Sequence, residues 1–383
     1  MKKSISDLTI IIWISIFSQF AGADEWGTIK IPWSKPITIA FDEQLEMQFV
    51  GMKRGIEMAF KEKASLLGYP LRLDSRTSKY GSFKSDHLPQ IFCNDAHNAA
   101  VIGYADNTDL QSALEIHHRQ KVVLLTPLNI GTRPLEDKNP IIFNLCCSYK
   151  IQARKAAEFS LSRKKHNIAG IYNKDENSQK LGRHFSEQVQ VLGGKVLFET
   201  SLSSNYYLSE MIEKIKTIKC DLIYYAGPYE LGISVIEEMD AVGLHHTYFI
   251  AGAACNNGKF LRETSGIPIA NCYVIAPRKP SREWTRNFEA QYGLKPRFGH
   301  YGYDAAQILI RALKAVTYKN SDGGLVIGKK ALAFAVKHLN FKGESGKIEF
   351  DLKGCRTSSA IAIYHVFNNE EEGLRFFKET PFR

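Results

Sequence analysis

Residues 99–132 read AAVIGYADNTDLQSALEIHHRQKVVLLTPLNIGT. Ala100, Val101 and Ile102 form an apolar run that stops at Gly103, and a polar turn follows at 104–109. Leu110, Ala113, Leu114 and His117 then recur at helical spacing. Val122, Val123, Leu124 and Leu125 make a second β-rich run, closed by Thr126 and Pro127. Strand, loop, helix, strand is one βαβ unit, and runs that are apolar throughout imply a parallel sheet buried on both faces. Ligands of open α/β sheets bind beyond the carboxyl ends of the strands. That rule puts Asn107, Thr108 and Asn129 on the rim of a pocket, with Asn107 or Thr108 also placed to cap the helix.

Working outward, the 383 residues are enough for two ordinary domains, and 44% hydrophobic with 23% charged residues is a globular composition. The first 23 residues stand apart. Lys2 and Lys3 precede the apolar run LTIIIWISIF (8–17), which is too short for a stable bilayer span, and Ala21, Gly22 and Ala23 offer a small-x-small cleavage site. This predicts a secretory signal peptide over 1–23, a mature chain from Asp24 and a loose leader over 24–35. No Cys follows the apolar core, so no lipid anchor is expected. The net charge of +10 falls to about +9 when Lys2, Lys3 and Asp7 are removed. The cations are spread along the chain without interleaved aromatics, which argues against nucleic acid as a partner. Seven Cys in an exported chain allow disulfides, but there is no C-x-x-C, and Cys255–Cys272 is the one pair worth testing as a bridge.

Two βα series follow one another. The first has strands near 37–41, 71–73, 100–102, 122–125 and 139–143, with helices from Phe49, over 86–96 and along the Leu110 to His117 stripe. The second begins near residue 145, with helices over 150–162, 178–192, 206–217 and 229–241 and strands at 168–172, 196–198, 222–226 and 248–251. Two α/β lobes of similar size follow from that succession. Later come a crossing near 272–275, helices over 282–292, 302–318 and 329–339, and a tail of strand and turn from Phe341.

Three motifs carry a family resemblance. One is the opening Val101-Ile102-Gly103, loop, helix and Val122 to Pro127. Another is Tyr224-Tyr225-Ala226-Gly227 ahead of a helix. The third is Phe341-x-Gly343-x-Ser345-Gly346-x-Ile348-x-Phe350-Asp351-x-x-Gly354, a turn and hairpin, with Tyr303-Asp304-Ala305 in the helix before it. In these the chain resembles the periplasmic solute-binding proteins of ABC importers, of the leucine/isoleucine/valine-binding type, over about residues 36–367. The resemblance implies two doubly wound parallel-sheet lobes joined by three crossings, with a ligand cleft between them and hinge closure. The lobes would be 36–144 with 276–339, and 145–275 with 340–383. It further implies a monomer in the periplasm, with a small-molecule solute and an inner-membrane ABC permease as its partners, no cofactor and no catalysis.

Carried over position by position, the resemblance puts the first-lobe ligand contacts at Asn107, Thr108 and Asn129 and the second-lobe contacts at Asn177 and Tyr229, or Pro228 beside it. The family's acid for a ligand ammonium falls near Ala253, which has no carboxylate; Glu230 is the nearby substitute. An unpaired buried charge costs on the order of 3–5 kcal/mol. The three asparagines therefore point to an amide-like, peptide-like or hydroxylated solute beside the amino acids. Ala253, Leu128 and Ile130 keep open an alternative: a ligand-sensing or partner-binding protein on the same fold, without an import role. No nucleotide fingerprint, P-loop, nucleophile elbow or zinc-protease helix is present. His117-His118 and His245-His246 lack further ligands at metal spacing; His117 is expected on the inner helical face, His118 in solvent and His245-His246 in a turn. Tyr224 and Tyr225 alternate faces of a strand, so at most one faces a cleft.

Overall fold

All five residues of Asn98–Ile102 are buried, as a strand covered on both faces requires. The computed structural model describes residues 24–43, 47–77, 87–104, 107–127, 140–146, 149–268, 271–357, 361–369 and 374–380. The predicted signal peptide, 1–23, lies outside them. The chain begins with strands Thr28–Ile31 (β1), Ile37–Asp42 (β2), Ser65–Leu66 (β3), Tyr69–Arg76 (β4), Asn98–Ile102 (β5), Val123–Thr126 (β6) and Ile142–Asn144 (β7). Helices Met47–Glu62 (α1), His87–Asn94 (α2) and Asn107–Gln120 (α3) lie among them. The sheet runs β3-β4-β2-β5-β6-β7, parallel except for the short edge strand β3. The opening stretch is the βαβ unit it was read as, with Val101 opposite Leu124. The register slips between Thr38 and Ile39, and buried Asn98 closes the gap. Its Oδ1 accepts from the Ala40 N–H at 3.1 Å and its Nδ2 donates to the Phe92 carbonyl at 3.0 Å.

The second series gives helices Tyr149–Ser162 (α4), Glu176–Val191 (α5), Leu208–Thr217 (α6), Tyr229–Ala241 (α7) and Gly258–Glu263 (α8). Its strands are Asn167–Asn173 (β8), Lys195–Leu202 (β9), Leu222–Ala226 (β10), Tyr248–Ala251 (β11) and Cys272–Pro277 (β12). The chain continues through Arg282–Tyr292 (α9), Gly299–Val316 (α10), Thr317–Lys319 (β13), Leu325–Gly328 (β14), Lys329–Lys337 (α11), Phe341–Gly343 (β15) and Gly346–Ile348 (β16). It ends in the antiparallel pair Ile361–Asn369 (β17) and Leu374–Thr380 (β18). The second sheet runs β18-β17-β12-β11-β10-β8-β9, with β8 to β12 parallel and β17 antiparallel to β12.

The chain divides into two units at Cys146/Cys147, Arg278/Lys279 and Ser358/Ser359. Each is an α/β layer structure with apolar clusters on both faces of its sheet. In the first unit Ile37, Ile39 and Phe41 pack with α1 and α10, whereas Ala40 meets α2 and α3. In the second Tyr225 packs with α6 and α7 and Tyr224 with α4 and α5. Close approach of α1 and α10 demands glycine: a Cβ on Gly55 would stand 1.9 Å from the Gly299 carbonyl oxygen, and one on Gly302 2.2 Å from that of Met52.

Three expectations are corrected. The span 24–35 is no loose leader. Its β1 pairs antiparallel with β14, Ile29 and Ile31 are buried, and the Asp24 carboxylate caps α11 by accepting from the Lys330 and Ala331 N–H groups, both at 3.1 Å. Secondly, 340–357 belongs to the first unit, not the second. Ile348 and Phe350 enter the first unit's core, and the buried Asp304 carboxylate holds the β15–β16 turn through the Glu344 and Ser345 N–H groups at 2.9 and 2.8 Å. Thirdly, Cys255 is a free thiol, so no bridge to Cys272 exists; burial raises its pKa well above the usual thiol range.

Candidate functional site

Each unit has its own edge of parallel-strand carboxyl ends. In the first unit these ends are Asp42, Arg76, Ile102, Thr126 and Asn144. Asn107 and Thr108 are the first two residues of α3, but their side chains lie outside the described residues, and so does all of Asn129. Behind that rim Gly103 lies against Asp42, whose Cβ would be 2.7 Å from any side chain placed there. Tyr104 has φ +56° and is buried, with its ring edge-on to His117 at 5.6 Å. His117 is fully buried, on the inner face of α3 as expected, and His118 is exposed. The Val122 carbonyl only accepts, so the 2.8 Å contact with Nδ1 fixes the proton there and leaves the lone pair on Nε2. Burial lowers the His117 pKa to about 4, against the raising pull of that hydrogen bond.

In the second unit β8 ends at Asn173 and hands over to α5 through Asp175. Asp175 accepts from the Ser178 N–H at 2.9 Å, the Ser178 hydroxyl at 2.6 Å and the Asn173 amide at 2.7 Å. Burial works against its charge, but the hydrogen bonds from Ser178, Asn173 and the Asn177 backbone outweigh it and hold the carboxyl below its ordinary range. Asn177, in the first turn of α5, is exposed. Gln179 extends the polar edge, donating to the Asn173 carbonyl at 2.6 Å and to the Ser201 hydroxyl at 2.9 Å.

The neighbouring strand β10 ends at Ala226, and Tyr229 opens α7. Tyr229 is half-buried against the α7 face of the core, with the Lys259 ammonium 5.9 Å from its ring centre. Both Tyr224 and Tyr225 are buried, so neither offers a free ring face. The Tyr225 hydroxyl straps the strand end by donating to the Pro228 carbonyl at 2.6 Å. Burial pushes this phenol up, with Cys255, Glu230 and Asp175 adding to the push, which places both carboxylates near this strand end. Glu230 itself is exposed, in the first turn of α7. After β11 the turn Ala253–Cys255 presents Ala253, which carries no polar group.

Asn177 and Tyr229 thus each lie in the first turn of the helix that follows one of two adjacent parallel strands, β8 and β10, with α5 and α7 packed on opposite faces of the sheet. Sequence reasoning missed Asn173, Gln179 and Ser201 beside them. The one signal available was Asp175-x-x-Ser178, a helix-start pattern that locates the strand end before it. The edge offers amides, hydroxyls, a half-buried ring and carboxylates, which suits hydrogen bonding to a polar solute. Among the described residues no group of three or more His, Cys, Asp or Glu side chains is placed to hold a metal ion, and no helix is long and apolar enough to cross a membrane.

The profile of one family, described as periplasmic binding protein, matches residues 28–371. Comparison with curated proteins by sequence finds no match. Among solved structures, a putative branched-chain amino acid ABC transporter protein from Rhodospirillum rubrum superposes with TM-score 0.76 at 16% identity, covering 90% of this chain and 100% of that one. An ABC transporter substrate-binding protein from Desulfitobacterium hafniense gives 0.71 at 18% identity, covering 90% and 99%. An ABC transporter solute-binding protein from R. palustris, solved with benzoate, gives 0.64 at 14% identity, covering 90% and 96%.

Proposed function

The chain belongs to the periplasmic binding protein family, and from that premise we propose that it is an exported solute-binding protein. It takes up a small polar solute, an amino acid or an amide- or peptide-like compound, and delivers it to an ABC permease in the inner membrane. It acts as a monomer and does no chemistry. Asn107, Thr108 and Asn129 bind from the first unit and Asn177 and Tyr229 from the second. Glu230 stands in for the carboxylate that Ala253 lacks, so that a solute ammonium is not left unpaired. Residues 1–23 direct export and are removed.

The observation that supports this reading is that Asn177 and Tyr229 each lie just past the carboxyl end of a parallel strand, β8 and β10, the position where open α/β sheets take ligands. The solute classes of the neighbours, a branched-chain amino acid transporter protein and a benzoate complex, make small organic solutes the natural panel. Protein carrying residues 24–383, recovered from exporting cells, is expected to hold a small molecule that native mass spectrometry sees as an adduct and that unfolding releases. Preparations that are free of adduct and indifferent to every added solute would move the case to the sensing or partner-binding reading, for which Ala253 already speaks.

A further inference from the structure

Arg356 is 1% exposed, and its guanidinium uses all five N–H groups. Nε and Nη2 donate to the Lys347 carbonyl at 3.0 and 2.6 Å, Nη2 also to the Ser345 carbonyl at 3.2 Å, and Nη1 to the Ser345 hydroxyl at 2.8 Å and the Leu145 carbonyl at 3.3 Å. The same Ser345 hydroxyl donates to Asp304, also fully buried. A relay therefore runs from Asp304 through Ser345 and Arg356 to Leu145. Beside it the Asn144 N–H donates to the Gly354 carbonyl at 2.9 Å and the Arg356 N–H to the Asn144 carbonyl at 3.2 Å. Gly354 permits this approach: its φ is +77°, and a Cβ there would stand 2.2 Å from the Ile142 carbonyl oxygen.

The position of the relay along the chain is what gives it meaning. Leu145 is one residue before Cys146, where the chain first leaves the first unit, and Arg356 is two before Ser358, where it leaves again. Stability alone is a poor reason for a buried cation and carboxylate, since well-packed apolar replacements commonly serve as well or better. What a five-donor planar fork supplies, and an apolar side chain does not, is a fixed relative placement of three backbone segments.

We propose that Arg356 is a positioning residue for solute uptake: with Ser345 and Asp304 it locks the two exits of the chain from the first unit in one register. It acts on the solute only through the placement of the second unit. The proposal rests on the solute-binding reading above.

The test uses the full mature chain with spin labels on unnatural side chains at the exposed helix positions Ile91 and Val191, one in each unit. Label-to-label distances are measured without solute and with L-leucine, glycinamide and urea. Arg356→Met leaves the buried Asp304 carboxylate without its cation and is expected to melt below the parent; at temperatures where it stays folded it is expected to give a broader and displaced distance distribution without solute, with amide exchange at positions 144 and 356 faster by at least about tenfold. Should Arg356→Met not fold, Ser345→Ala removes the hydroxyl relay alone and is expected to show the same broadening. A folded variant whose distribution superimposes on the parent's overturns the proposal. A parent distribution blind to every solute, with no shift in melting, overturns instead the reading on which it rests.

Discussion

His117 shows at the scale of one residue how burial becomes a pH response. Its folded pKa is about 4, against about 6.5 for an unperturbed histidine. Between these values the unfolded chain binds a proton that the folded chain refuses, so stability rises with pH across that window and is lost as pH falls from about 6.5 to about 4. The full difference corresponds to about 3 kcal/mol. Urea unfolding at closely spaced pH values is expected to show this decline, and His117→Phe is expected to flatten it; an unchanged slope in the variant would show that another group titrates. The candidate contacts belong to the same scale. Alanine at Asn107, Asn129 or Asn177 is expected to weaken binding of the solute about tenfold, ~1.4 kcal/mol, by calorimetric titration. Unchanged affinity in all three would mean that the site lies elsewhere.

Elements were legible where their pattern is local. The helix α7 carries the bounds read from the sequence, and the β5–α3–β6 unit follows from two apolar runs and one helical stripe. Where the partner is distant the sequence is silent. β1 is four residues long and makes sense only against β14, which lies at the other end of the first unit's chain. Thr317 and Tyr318 read as the end of a helix, because Val316 continues the apolar stripe of α10. The chain instead turns at Asp322-Gly323, with Gly323 at φ +79°, and pairs Thr317 with Ile327. That Asp-Gly turn was visible, and the longer helical pattern masked it. Two substitutions test the elements as packed. Gly302→Ala forces a methyl against the Met52 carbonyl and is expected to destabilise by about 1–3 kcal/mol. Asp24→Ala uncaps α11 and is expected to remove about 1 kcal/mol. Chemical denaturation measures both, and a neutral Gly302→Ala would mean that α1 and α10 separate more easily than their packing implies.

For the whole molecule, the order of strands gave two α/β lobes but not the full path of the chain between them. The crossings read near residues 145 and 275 fall within three residues of the observed divisions, whereas the last division is at Ser358/Ser359 rather than near 340. The hairpin motif at 341–354 was recognised for its glycines, but its attachment is decided by Asp304 and Arg356, side chains whose partners no local pattern announces. Of the candidate site, the strand ends were legible: Asn177 and Tyr229 each sit in the first turn of the helix after a parallel strand, β8 and β10. Solute identity depends on side chains that converge only in three dimensions. The central claim is that this chain captures a small polar solute, and a thermal-unfolding screen of the mature protein tests it most directly. The panel holds amino acids, short peptides, amides, ureas, polyols and small organic anions, applied after unfolding and refolding to strip carried-over ligand. A true solute at about a hundred times its dissociation constant adds ~2.7 kcal/mol, a rise of several degrees in Tm. The account predicts such a rise with an amino acid or an amide-like compound, and no rise with any member of the panel would contradict it.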